Sequence, residues 1–400
     1  MRENLSMLMD LYELTMANGI FYSEERDVIC YFDMFFRRVP DEGGFAIMAG
    51  IKSLIATKAN RIVRAAGGRA ILEFGARRAH SYDAAMLGAR SAIIGGCIGT
   101  SCVKAAKDFD VKSSGTMAHS WVQLYKDEYT AFKTYAEQYP DSCMLLVDTY
   151  NVLKSGIPNA IKVFNEVVVP KGYRPLGVRI DSGDITYLTK KVRKILDDAG
   201  FSDCKICVSN SLDEYLIRDM LIQGAAVDSF GVGERLITAS SEAVFGGVYK
   251  LVATQTKEGN IVPKIKISEN TAKITIPSFK KVWRLFDNET GKAIADVITL
   301  HHEVIDDSKP YEIFDPVHTW KRKIITNFTA KPLGVRLFDK GECVYENPSV
   351  NRIAEYCKEQ VDTLWEEVKR FEKPHTYYVD LSKNLWQERN TLLEKYSIKG

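Results

Sequence analysis

The chain has 400 residues, 46% of them hydrophobic and 26% charged, and 54 Lys and Arg stand against 52 Asp and Glu for a formal net charge of +2. That composition describes a globular protein long enough for two domains or for one barrel with an elaboration. It excludes a disordered chain and, with no long block of one sign, argues for a small charged ligand and against nucleic-acid or membrane-surface partners.

Residues 6–19 carry the apolar spacing of an amphipathic helix, with Leu8, Leu11 and Leu14 on one side and Gly19 as its stop. Residues 27–39 read as a strand ending in the turn PDEGG. From about residue 54 a beat of helical and strand-like stretches sets in. The strands expected are 71–75, 92–96, 111–116, 144–149, 176–181, 205–210 and 229–233. Most are followed by polar or glycine residues and then by a helical pattern. Polar groups after nearly every strand favour a closed β/α barrel over an open doubly wound sheet, which gathers ligands only at its switch point. After residue 250, strand pairs turn around Glu258-Gly259-Asn260 and Asp287-Asn288-Glu289, and the tails 351–373 and 381–396 read as helical.

The eight cysteines form no disulfide framework, and Cys204 and Cys207 make a C-x-x-C with no second pair, which reads as strand-edge packing. Arg2, Glu3, Asp10 and Glu13 break any signal-peptide core, and no run is long and apolar enough to span a membrane, so a cytoplasmic protein is expected.

The chemistry centres on LGVRIDSGD, 176–184. In a strand, Gly177, Arg179 and Asp181 share one face while Leu176, Val178 and Ile180 share the other. Ser182, Gly183 and Asp184 then open a helix, where anions are favoured. The bland reading is a surface Arg179–Asp181 pair beside a capping residue. His119, in SSGTMAHSW, ends the expected strand before the one that ends in Asp148. A carboxylate bonded to one ring nitrogen would fix the tautomer and free the other nitrogen as nucleophile or base, although Asp148 is equally placed to cap the following helix. Arg77 and Arg78 follow a strand and suit a grip on phosphates; Gly231 and Gly233 let backbone amides approach an anion.

Together the stretches DLYELTMA, EFGARRAH, GGCIGTS, GTMAHSW, VDTYNV, GVRIDSGD, VSNSLDE, FGVGERL and FGGVYKL resemble the nicotinate phosphoribosyltransferase family. The resemblance implies condensation of nicotinate with phosphoribosyl pyrophosphate to nicotinate mononucleotide and pyrophosphate, in NAD biosynthesis, with ATP as co-substrate and Mg2+. It implies His119 as the histidine phosphorylated by ATP and Asp148 as its orienting aspartate, with Arg179 facing the pyridine carboxylate. Asp181 would meet ribose hydroxyls or Mg2+, Arg77 and Arg78 the phosphates, and Asn210, Gly231 and Gly233 the product 5′-phosphate. Gly115, Thr116, Ser120 and Ser182 belong to the substrate-binding motifs by the same resemblance. Tyr12 would stack on the pyridine ring across a homodimer interface. The implied fold is α/β: an irregular or incomplete TIM-like β/α barrel (54–250), with a second, smaller α+β domain made from an N-terminal part (1–53) and a C-terminal β-rich segment with a helical tail (251–400).

The sequence departs from the family in one place. Regions like 42–50 and 53–69, separated in the family by a long stretch, almost touch here. Two rival readings follow: an inactive, internally deleted homologue that keeps only a phosphate- or nucleotide-binding barrel, and an enzyme using nicotinamide or quinolinate.

Overall fold

A computed structural model describes residues 9–36, 38–50 and 53–397. The chain forms two units: Val39–Phe245 with Tyr345–His375, and Met1–Arg38 with Gly246–Val344 and Thr376–Gly400. Residues 345–375, expected with the C-terminal segment, thus pack with the β/α unit.

The β/α unit holds six parallel strands: β1 (Ala70–Glu73), β2 (Gly99–Thr100), β3 (Met144–Leu146), β4 (Gly177–Ile180), β5 (Lys205–Asn210) and β6 (Ser229–Val232). Their spatial order is β2-β1-β6-β5-β4-β3. Because β6 pairs with β1, the strands follow one another in the order that a β/α barrel would use, but the described sheet is open, with a gap between β2 and β3. The expected strand 111–116 belongs in that gap. Of it, only Ser113 pairs, as a single parallel bridge to Thr100. Its Ser-Ser-Gly centre offers little apolar surface to hold a strand down.

The strand expected at 92–96 is a helix end. Ala92, Ile93 and Ile94 close the helix α1 (Tyr82–Ile94) and are buried in the main core, while Met86 and Ala89 earlier on the helix are buried in a small cluster with Ala105. A short apolar run before two glycines reads as either element, and the upstream helix decides it. A Cβ on Gly95 would lie 2.6 Å from both the Ala56 carbonyl and the Ala59 Cβ, so only glycine lets this turn meet helix Ile55–Ala65. The apolar strand faces, such as Val178 and Ile180 of β4 and Ile206 and Val208 of β5, are buried in one continuous core. Cys204 and Cys207 are buried free cysteines, as packing required.

The other unit is β-rich with helices at both chain ends. Strand Ile29–Phe35 pairs with Val248–Gln255, which turns at 256–260 into Ile261–Pro263. A four-stranded sheet orders Phe328–Pro332, Lys280–Asp287, Ala293–Leu300 and Tyr378–Leu381, around a core that includes Trp283, Leu285, Val297 and Phe328. Helix Leu11–Phe21 starts later than residue 6; residues 6–8, and residue 37 of the expected strand, lie outside the described residues. No described helix is long and apolar enough to cross a membrane.

Asp380, 4% exposed, has no hydrogen-bond donor to its carboxylate among the described residues. Burial, with the Asp315 charge added, pushes its pKa up to about 6. A carboxyl raised on folding binds its proton in the folded state first, so stability falls as pH rises from about 4 to about 6. Asp380→Asn is expected to add about 1–3 kcal/mol at pH 7.5 and almost nothing at pH 4. Denaturant unfolding of both proteins across that range checks it; an equal gain at both ends would exclude titration as the cause.

Candidate active site

Arg179, Asp181, Ser182, Ser209 and Asp148 come from the carboxyl end of a strand or the segment just beyond it, and Thr116 and His119 from the stretch after the Ser113 bridge. Register explains why. Arg179 pairs with Cys207 and Ile180 with Val208, so Asp181 comes level with Ser209 at the ends of β4 and β5. Strand parity puts Arg179, Asp181 and Ser209 on the face away from the buried Val178, Ile180 and Val208.

Arg179 is held from three directions. Its Nε donates to Ser209 Oγ at 2.9 Å, Nη1 to Thr116 Oγ1 at 2.8 Å and to the Met117 carbonyl at 3.3 Å, and Nη2 to Asp181 Oδ1 at 3.3 Å. The Phe74 ring lies 5.9 Å from the guanidinium carbon, within cation–π range. Burial works against the Asp181 charge, but the Ser209 hydroxyl and the Arg179 guanidinium outweigh it, so this carboxyl titrates below its ordinary range. This is not the surface ion pair of the bland reading.

His119 opens the helix α2 (His119–Leu124), and its Nε2 lies 3.2 Å from Asp148 Oδ1. Its side chain is 38% exposed while that of Asp148 is 2% exposed. Asp148 does not cap the next turn; Asn151 does, accepting from the Lys154 amide at 2.9 Å. The other Asp148 oxygen accepts from the Asp181 backbone N–H at 3.0 Å and from Ser182 Oγ at 2.5 Å. Ser182, expected among the substrate-binding residues, thus donates its hydroxyl proton to Asp148. Asp184 caps the helix Ile185–Asp198, accepting from the Tyr187 amide. With Asp148 accepting at Nε2, the proton sits there and Nδ1 keeps its lone pair.

The remaining expected residues lie around this cluster. Gly115 and Ser120, both exposed, flank the Thr116–His119 segment. Arg77 and Arg78 sit exposed on a turn after β1, and Arg78 comes within 3.6 Å of Glu234, next to Gly233. Asn210 ends β5 with its amide oxygen accepting from the Ser211 N–H. Gly231 has a packing reason to be glycine, since a Cβ there would lie 2.4 Å from the Phe74 ring; one on Gly233 would lie 3.0 Å from the Phe74 carbonyl. Tyr12 lies in the other unit, on a helix with no buried residue, and is 60% exposed. Fully buried Glu73, from the motif EFGARRAH, accepts from the Gly75 amide and the Thr100 hydroxyl and so holds the turn carrying the two arginines.

Sequence reasoning missed Ser209 and Phe74 as partners of Arg179. The parity of β5 placed Ser209 on the polar face, but inter-strand register, which sets it beside Asp181, cannot be read from one strand. Among the described residues no three His, Cys, Asp or Glu side chains gather as a metal cage.

Comparison with known proteins identifies the family. Residues 70–300 match the nicotinate phosphoribosyltransferase (NAPRTase) family, and residues 279–389 match the nicotinate phosphoribosyltransferase C-terminal domain. The chain is 39% identical to nicotinate phosphoribosyltransferase of Bacillus subtilis over 468 positions, covering 97% of this chain and 95% of that protein. Since 468 positions exceed the 400 residues here, the alignment leaves gaps in this chain, as the abrupt join near residues 50–53 leads one to expect. The chain is 33% identical to the Dictyostelium discoideum nicotinate phosphoribosyltransferase, covering 88% of this chain and 68% of that protein. Its fold is that of human nicotinic acid phosphoribosyltransferase, with a TM-score of 0.78 at 22% identity over 97% of this chain and 100% of that one. A six-stranded β/α sheet with its polar side chains at the strand ends, and family matches covering residues 70–389, give one answer: the chain belongs to the nicotinate phosphoribosyltransferase family.

Proposed function

We propose that this protein condenses nicotinate with phosphoribosyl pyrophosphate to give nicotinate mononucleotide and pyrophosphate, a step of cytoplasmic NAD biosynthesis, and that ATP drives it through a phosphohistidine at His119. The observation that carries the proposal is the 3.2 Å His119–Asp148 pair joined, through the Asp181 amide, to the Arg179–Asp181 cluster.

The Asp148 carboxylate holds the proton on Nε2, leaving Nδ1 to attack the γ-phosphorus of ATP; ADP departs, and hydrolysis of the phosphohistidine later releases phosphate. Arg179 supplies positive charge for the nicotinate carboxylate. As the pyridine nitrogen displaces pyrophosphate, positive charge develops on the ribose, and the ionised Asp181 favours it. Exposed Arg77, and Arg78 beside its exposed partner Glu234, are placed to meet phosphates. Asp181 Oδ2, with no partner among the described residues, would be the oxygen to hold a Mg2+, which when bound would supply positive charge for the pyrophosphate. The exposed Leu11, Tyr12, Leu14, Met16 and Phe21 on one uncovered helix support a homodimer in which Tyr12 serves the partner's site.

The test is formation of nicotinate mononucleotide from its two substrates, with and without ATP, by the wild type and His119→Asn. ATP-stimulated product, with stimulation lost in the variant, is expected. A folded wild type that makes no product would mean that the shortened chain is a binding remnant.

A further inference from the structure

Arg179 has five N–H donors, and the protein already uses four. Nε and both Nη1 hydrogens are taken by Ser209, Thr116 and Met117, and one Nη2 hydrogen by Asp181. A single Nη2 hydrogen has no acceptor among the described residues. The guanidinium therefore offers a substrate carboxylate one hydrogen bond, in a plane that its protein partners fix.

Among those partners Ser209 is singular. It is 4% exposed, and its hydroxyl accepts from Arg179 Nε while donating to Asp181 Oδ1. No other polarity is open to it, because a guanidinium only donates and an ionised carboxylate only accepts. The same hydroxyl thus sets the rotation of Arg179 about its side chain and takes up part of the Asp181 charge. Without it, Nε is left unsatisfied and Asp181 turns to the Arg179 guanidinium beside it, competing with substrate for the last Nη2 hydrogen.

We infer that Ser209 is a positioning residue for the pyridine substrate, holding the Arg179 guanidinium in the orientation that leaves one Nη2 hydrogen for the substrate carboxylate. The inference rests on the nicotinate reading above. It goes further by naming a residue whose effect is confined to substrates that carry a carboxylate.

The experiment is steady-state kinetics of nicotinate mononucleotide formation by the wild type, Ser209→Ala and Ser209→Thr, with KM measured for nicotinate and for phosphoribosyl pyrophosphate, and thermal melting of each protein. Expected for Ser209→Ala is a rise of about tenfold or more in KM for nicotinate, with KM for phosphoribosyl pyrophosphate changed less than about threefold and kcat little altered. Ser209→Thr keeps the hydroxyl and is expected to restore most of the nicotinate KM. An unchanged nicotinate KM in Ser209→Ala, or equal rises for both substrates, would overturn the assignment while leaving the proposed function standing. A matching loss in both variants that follows melting temperature would also overturn it, as the mark of a structural role. Absence of turnover by the folded wild type would instead remove the reading on which it rests.

Discussion

Asp148→Asn is expected to reduce the ATP-stimulated part of nicotinate mononucleotide synthesis by about 10³–10⁴-fold, the scale of effect when an orienting carboxylate beside a reactive histidine is made neutral. The reason is the tautomer. Asp148 only accepts, so the proton is kept on His119 Nε2, 3.2 Å away. An asparagine amide can donate to that nitrogen, which moves the proton to Nδ1, the atom that must be bare to take a phosphoryl group. The Asp181 amide and the Ser182 hydroxyl also donate to Asp148, and the carbonyl oxygen of asparagine still accepts from them if Nδ2 turns toward the histidine. Folding is therefore expected to survive, and ATP-independent synthesis to fall far less than the stimulated part. Incorporation of label from γ-labelled ATP into the protein measures the step directly. Full labelling of the variant would remove Asp148 from this role.

Arg179→Ala is expected to lower kcat/KM for nicotinate by about 10²-fold, as loss of one charged hydrogen bond to a carboxylate together with the positive charge beside it implies, while any use of nicotinamide falls much less. The substitution also removes the cation beside Asp181. Its carboxyl then titrates higher, since burial, the largest influence on it, is opposed by the Ser209 hydroxyl and by Arg179. The acid limb of the pH–rate profile should accordingly move toward neutral pH. Equal losses with the two bases would show that the arginine does not read the carboxylate, and an unmoved acid limb would separate Asp181 from catalysis. Comparison with Ser209→Ala is informative, because Ser209→Ala leaves the guanidinium in place but unguided, whereas Arg179→Ala removes it.

The β/α unit was legible in the sequence where local and global preferences agree. LGVRIDSGD announced a strand with one apolar and one charged face followed by a helix start, and β4, its buried Val178 and Ile180, and the Asp184 cap follow that pattern. The turns at 256–260 and near 287–291 were likewise written in their glycine and asparagine residues. The failures came where a short stretch is locally ambiguous. Ala92–Gly96 has the composition of a buried strand and of a buried helix end, and only the upstream packing of Met86 and Ala89 selects the helix.

The sequence by itself singled out the residues to which the proposed chemistry is assigned, because a reaction constrains residue types that stand beside each other in short motifs: His119 after Gly-Thr-Met-Ala, Arg179 and Asp181 on one strand, Asp148 at another strand's end. What those residues do to one another was decided by the tertiary structure. Ser182 faces Asp148, Ser209 bridges Arg179 to Asp181, and Gly231 is small to admit Phe74, all through contacts between residues 28 to 157 positions apart along the chain. The physical reason is that strand parity is a local property of period two, whereas register between strands is fixed by the packing of whole faces and loops, and a side-chain network inherits its geometry from register.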